Sequence, residues 1–493
     1  MRRSSVTDSG SERYALPLGF CGEVQEPSAL SQQLAMARVR RGPHVGQLTD
    51  AFAMDAYARL MLRHLQASDI MPVREDAGGG EIRFNGMEAL KTIEIKPDAE
   101  IRRLSAEQSN SSLIVGDQVV LKVIRHLQPG IHLELEMSRR LAEVGYANTP
   151  RFLGDITRMS PDGTPYTQVI LQAFVHNQGD AWQWTLDRLG RALQQSSAAQ
   201  IAVQALPVEN ASPMEELAGF AAILGRRLGE LHNVLAEPSD DPAFAPAQVQ
   251  TKDMDRWETR IGDEVTKALD ILQGMHQWES PSDAERAANL LVRREEIEAM
   301  PRKLARQPGY HLLTRIHGDF HLGQVLVISG DVMIIDFEGE PARTLEERRE
   351  KDSPFRDVAG LLRSFSYAAA FVRKQNGNEA VPLDETTRET LLRQYEEISE
   401  AAFLQAYCRA RTDGADAGAG PADQPVSNML QGKYVMDANL QALLHLFMLE
   451  KVCYEVAYEA ANRPAWLGVP LHGLSHLVEA ISGMPENPPG DEA

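Results

Sequence analysis

Asp319, Gln324 and Asp336 fall within a single stretch, "RIHGDFHLGQVLVISGDVMIIDFEGE", from Arg315 to Glu340. Two carboxylates and an amide in that order suit a divalent cation held by oxygen ligands, and one carboxylate is left to orient a hydroxyl nucleophile and accept its proton. Phosphoryl transfer asks for little beyond such positioning and charge neutralisation. Either acid alone would read more simply as a turn cap. The reading changes because "QVLVIS" and "DVMIIDF" look like two short strands, joined through Ser329-Gly330-Asp331 into a hairpin. Such a hairpin would bring Asp336 back beside the loop holding Asp319.

Two further groups of residues could serve the same chemistry. Lys122, in "VVLKV", places a cation in an apolar strand, where an unpaired charge is costly. It calls for an anionic partner, unless the strand lies at an edge and the side chain reaches solvent. In "LEKVCYEVAYEAANRPAW", Lys451, Tyr454, Glu455 and Tyr458 recur at i, i+3, i+4 and i+7, one face of a helix. Charged groups there would bind sugar hydroxyls and the rings would pack on the C–H face of a pyranose, with Trp466 as a further ring. A Lys451–Glu455 helix pair flanked by two interfacial tyrosines gives the same pattern.

The elements that must position these residues can be read along the chain. "SSLIVGDQVVLKVIR" is a strand pair turned at Gly116-Asp117, and the helical "IHLELEMSRRLAEVG" follows it. "TPRFLGDI" and "TQVILQAFV" are again strand-like, and beyond Gly179 long amphipathic helices dominate, as in "MEELAGFAAILGRRLGELHNVLA". Residues 1–98 read as a separate small mixed domain, in which "DAFAMDAYARLMLRHLQAS" is a helix with Asp at its N-cap. Thr412 to Pro425 and the tail "PENPPGDEA" lack periodicity and are expected to be mobile.

Composition sets the outer bounds. A chain of 493 residues, 43% hydrophobic, can bury more than one core. A formal charge of -20 argues against nucleic acid and anionic membrane surfaces as partners. Cys21, Cys408 and Cys453 are far apart and form neither a disulfide framework nor a zinc motif. No signal-peptide core or bilayer-length apolar run is visible, so a cytoplasmic protein is expected.

"HGDFHLGQ" followed by "IIDFEGE" resembles the catalytic loop and metal-binding segment of aminoglycoside-phosphotransferase-like kinases. More narrowly, these blocks together with "EQSNSSLIVGDQVVLKV", "HNQGDAW" and "EKVCYEVAYEAANRPAWLGVPLHGL" resemble bacterial maltokinases, including the kinase part of trehalose synthase fusions. The resemblance implies an α+β, bilobal protein-kinase-like fold: an N-terminal cap (1–98), a β-rich nucleotide lobe (99–178) and a helical lobe (179–493). It implies ATP and Mg²⁺ as cofactors, maltose as acceptor, maltose 1-phosphate for α-glucan synthesis as product, and trehalose synthase as a partner; the alternative is a kinase for another small hydroxylated acceptor, an aminoglycoside or a different sugar. Asp319 takes the place of the catalytic base, and Gln324 and Asp336 those of the metal ligands. Gln324 stands where wider relatives have Asn, and Glu338 is a further candidate ligand. Lys122 matches the phosphate-binding lysine, with Glu136 preferred over Glu134 as its helix partner. No GxGxxG precedes Lys122; Ser109, Asn110 and Ser111 occupy that place and would offer donors to phosphate. The adenine-contacting hinge falls from Gln172 to Val175. Asp357 matches the acid that braces the catalytic loop, and His317 and His321 are expected to orient that loop.

Overall fold

Gly116 and Asp117 both adopt left-handed backbone angles, φ 61° and 52°, as a two-residue hairpin turn requires. The computed structural model describes residues 2–3, 12–22, 28–104, 110–201, 212–306, 312–375, 384–413 and 438–484. The turn joins Asn110–Val115 to Val119–Ile124 in antiparallel register, with Lys122 opposite Ser112. These strands belong to a seven-stranded antiparallel sheet, in the order Ile70–Pro72, Glu81–Gly86, Phe152–Met159, Pro165–Ala173, Val119–Ile124, Asn110–Val115 and Ile101–Arg103. Val119–Ile124 is therefore interior, paired on both sides, and Lys122 is not an edge residue.

The chain divides into two compact units, Met1–His176 with Ile335–Glu338, and Asn177–Ile334 with Gly339–Ala493. In the first, the boundary expected at residue 98 is not a break. Glu81–Gly86 pairs with Phe152–Met159, and Phe52, Leu62 and Leu65 share one core with Leu113, Leu121 and Val169. Ile70–Pro72 and Glu81–Gly86 are outer strands of the same sheet, while Leu18–Gly22, Ala35–Arg41 and His44–Asp50 form a three-stranded sheet of their own. Asp50 caps the short turn Ala51–Ala53, donating no group but accepting from Phe52 N, whereas the helix Asp55–Ala67 begins after Met54 without a side-chain cap.

The second unit is mostly helical, as the amphipathic periodicity predicts. Ser212 and Glu215 form a reciprocal cap at the start of Pro213–Leu235, with Pro213 in the first turn where its missing N–H costs nothing. The expected hairpin is present, Val325–Ile328 against Asp331–Ile334, with Val325 opposite Ile334. Arg227 of the Pro213–Leu235 helix holds it through Asp331, Nε to Oδ1 at 2.8 Å. Among the described residues, no helix is long and apolar enough to cross a membrane. The stretch 414–425 and the tail from 485 lie outside the described residues.

Candidate active site

In the first unit, Lys122 Nζ lies 2.7 Å from Glu134 Oε2, 2.8 Å from Glu338 Oε1 and 2.9 Å from Asp336 Oδ1. The helix partner is thus Glu134 rather than Glu136. Residues two apart on a helix point about 200° from each other, so only one of the two acids can face the strand. Glu134 shares its face with the buried Met137, Ser138 and Leu141, at i+3, i+4 and i+7. That stripe was readable in the sequence and would have selected Glu134.

Burial by itself would pull Lys122 down, but the carboxylates of Glu134, Asp336 and Glu338 more than offset it, so the ammonium is held well above its ordinary value. Burial pushes Glu134 up, to about 8, against the attraction of Lys122. Burial also works against ionised Glu338, yet Lys122 and then His132 hold it below the usual carboxylate range. Three acids around one ammonium leave an excess of oxygen donors and negative charge, a set that fits a hard divalent cation such as Mg²⁺. Asp336 sits at φ 66°, a left-handed angle uncommon outside glycine and of the kind that marks functional sites.

The remaining nucleotide-side expectations are placed as follows. Asn110 is buried and donates through Nδ2 to Glu338 Oε1 at 2.7 Å, and Ser111 Oγ accepts from Arg125 Nε at 3.1 Å. Ser109 lies outside the described residues. Gln172 is inside the strand Pro165–Ala173, opposite Val120, and its amide donates to Ser138 Oγ. Phe174 N still donates to Gln118 O, so a chain segment released from the sheet begins only around Val175.

In the second unit, Asp357 accepts from the backbone N–H of His317 at 2.7 Å and of Gly318 at 2.8 Å. Its carboxylate also meets His232 Nε2 at 3.1 Å, while His232 Nδ1 lies 2.9 Å from Tyr407 Oη. Burial holds His232 below its ordinary value, so the neutral ring donates to Asp357 and accepts from Tyr407. Gly360 permits the next contact: a Cβ there would come 2.5 Å from Phe320 O, so the helix Phe355–Lys374 can lie directly against the loop. His317 Nδ1 accepts from Asp319 N at 3.3 Å and His321 Nδ1 from Gly323 N at 3.0 Å, the loop-orienting bonds expected of them. Gln324 closes the turn Leu322–Gln324 just before the hairpin.

Asp319 opens onto a cavity of about 380 Å³, lined also by Glu340, Arg343, Arg356, Lys451 and Tyr454. Lys451 Nζ stands 3.9 Å from Asp319 Oδ1 and 3.7 Å from Glu340 Oε1. Glu340 is fixed from behind by Arg343 at 3.0 Å and Arg356 at 3.3 Å, and Glu450 joins the lattice through Arg343 and Arg260, each at 2.8 Å. Burial acts against an ionised Glu340, but Lys451, Arg356 and Arg343 keep it below the ordinary range. Burial raises the Tyr454 hydroxyl, which stays neutral and can exchange hydrogen bonds.

The expected sugar face divides. Lys451 and Tyr454 line the cavity, and Tyr458 stacks on Tyr454 with ring centroids 6.2 Å apart. Glu455 is turned about 100° from Tyr454 and is buried against Arg363, Nε to Oε2 at 2.9 Å. Trp466 stacks on Phe371. Sequence reading missed Glu340, Arg343, Arg356 and Glu450 as cavity residues. Glu450 did carry a signal, since a lone acid in "LHLFMLEKV" must find a buried cation.

Comparison with known proteins places these geometries in context. The model of the phosphotransferase enzyme family matches residues 100–380. A glucosamine kinase of Mycolicibacterium smegmatis is 25% identical over 378 residues, 77% of this chain and 79% of that protein. A glucosamine kinase of Streptacidiphilus jiangxiensis is 25% identical over 275 residues, 55% of each chain. A solved glucosamine kinase in complex with glucosamine, ADP and inorganic phosphate shares the fold at a TM-score of 0.63, with 21% identity and 94% of both chains covered. These relatives bear out the kinase-like α+β architecture; both curated ones are glucosamine kinases, not maltokinases.

Proposed function

This chain belongs to the phosphotransferase enzyme family, and from that premise we propose that it transfers the γ-phosphoryl group of ATP to a hydroxyl of a small sugar, with an amino sugar such as glucosamine preferred over maltose. The observation that carries this reading is the single cavity shared by Asp319, Glu340, Lys451 and Tyr454. Asp319 would orient the acceptor hydroxyl and take its proton, while Glu340 and Lys451 hold neighbouring hydroxyls. Lys122, aligned by Glu134, would take the nucleotide phosphates. Bound Mg²⁺ would supply charge neutralisation at the phosphates; Asp336 and Glu338 offer oxygens for it, and Gln324 is a further candidate.

Two points favour an amino sugar. The two curated relatives above are glucosamine kinases. Carboxylates accept from an ammonium as well as from hydroxyls. Maltose is the second reading, carried by the Tyr454–Tyr458 ring pair, which would offer a second glucose unit a surface. Maltose 1-phosphate for α-glucan synthesis, and trehalose synthase as partner, belong to that second reading.

The test is an acceptor panel of glucosamine, glucose, maltose, trehalose and kanamycin with ATP and Mg²⁺, the products identified by phosphorus NMR. The highest kcat/KM is expected for glucosamine. Turnover of maltose above glucosamine would select the second reading, and no phosphorylated sugar from any acceptor would overturn both.

A further inference from the structure

A second cavity opens within the helical unit, of about 600 Å³, between the segment Met275–Glu279 and the turn at Pro464–Gly468. None of its lining residues borders the Asp319 cavity. Trp278 is half-buried at its wall, Gln277 and Glu279 are exposed beside it, and the buried Leu467 closes one side. Among the described residues, the side chains of Gln277, Trp278 and Glu279 make no hydrogen bond, ion pair or ring contact. Asp283 adds a second carboxylate, held by Ser280 Oγ at 2.8 Å and Arg286 Nη1 at 3.2 Å. It lies against Gly468, where a Cβ would come 3.1 Å from Oδ2.

We propose that this cavity is a second saccharide site, one that takes a sugar ring with free hydroxyls and rejects phosphorylated sugars. An indole face with an unused N–H, an unused amide and an unused carboxylate match the C–H face and the hydroxyl rim of a pyranose. Among the described residues, no basic side chain lines the cavity, and Arg286 is already engaged by Asp283, so a phosphate would meet Glu279 without a counter-charge. A purely apolar ligand would strand the same polar groups. The site therefore distinguishes unphosphorylated sugar from its phosphorylated form, the difference that a sugar phosphotransferase creates. The assignment stands on the cavity's own chemistry and not on the acceptor reading.

Saturation-transfer NMR on the full chain, with glucosamine, maltose and glucose 6-phosphate as probes, tests it. The measurement is made in the Lys451→Ala background, which weakens sugar binding in the first cavity, with sugar held below the raised KM of that cavity and circular dichroism confirming the fold of each variant. Glucosamine or maltose is expected to give ring-proton signals that weaken about tenfold when Trp278→Ala is added, while glucose 6-phosphate gives none. Signals unchanged by Trp278→Ala, an equal response to glucose 6-phosphate, or no sugar signal in the Lys451→Ala protein would each overturn the proposal. Turnover by the wild-type chain is read separately, so loss of the second site and failure of the acceptor assignment remain distinguishable.

Discussion

The ammonium of Lys122 is 2.7 Å from the carboxylate of Glu134, one turn-forming residue into the Leu133–Glu143 helix. Glu136, on the opposite face, is half-exposed. Glu134→Gln is therefore expected to lower kcat/KM for ATP by about two orders of magnitude, and Glu136→Gln by less than about threefold. Steady-state kinetics with varied ATP decides it; equal losses in the two variants would remove Glu134 from the role.

Asp319→Asn keeps the shape of the loop, whose bracing to Asp357 runs through the backbone of His317 and Gly318. ADP affinity by calorimetry should stay within about twofold while turnover falls by roughly a thousandfold, the range of a lost general base. Near-normal turnover would exclude Asp319 as the base.

Lys451→Ala removes the cation that faces both Asp319 and Glu340. The KM for the sugar should rise about tenfold or more, with the KM for ATP unchanged, because the contact belongs to the acceptor cavity alone. A parallel rise in both constants would point to a general loss of structure instead.

Glu455→Gln should act on stability and not on sugar binding. The Arg363–Glu455 pair is buried, with side chains only 5% and 8% exposed, so removing one charge strands the other and costs about 3 kcal/mol. Denaturant titration reads that loss. A sugar KM raised severalfold with stability intact would return Glu455 to the acceptor face.

His232 provides a pH signature. Its folded-state value is depressed by burial, so below the ordinary value near 6.5 the unfolded chain binds a proton that the folded chain refuses. Stability should therefore fall as pH drops through about 6.5, by up to about 1.4 kcal/mol per pH unit, until the lower folded value is reached. Asp357, whose folded value is also lowered, adds its own loss only at more acidic pH, below the ordinary carboxylate range. Comparing wild type with His232→Gln between pH 7 and 5.5 isolates the histidine; identical slopes would contradict the assignment.

The sequence by itself determined what local pattern controls. The 116–117 turn, the Val325–Ile334 hairpin, the helical character after Gly179 and the order of Lys122, Asp319 and Asp336 all follow from periodicity, turn chemistry and residue type. The buried stripe of the Leu133–Glu143 helix already separates Glu134 from Glu136, but the joining of Ile70–Pro72 and Glu81–Gly86 to the seven-stranded sheet depended on strand pairing over long sequence separation. Glu455 and Tyr454 are neighbours in sequence, yet only packing sent one to Arg363 and the other to the cavity. A charge in an apolar run states that a counter-charge must exist, since burying it alone is too costly. It does not say where that counter-charge lies. For Glu450, only the folded chain supplied the answer, by bringing Arg260 and Arg343 from two distant segments to the same carboxylate.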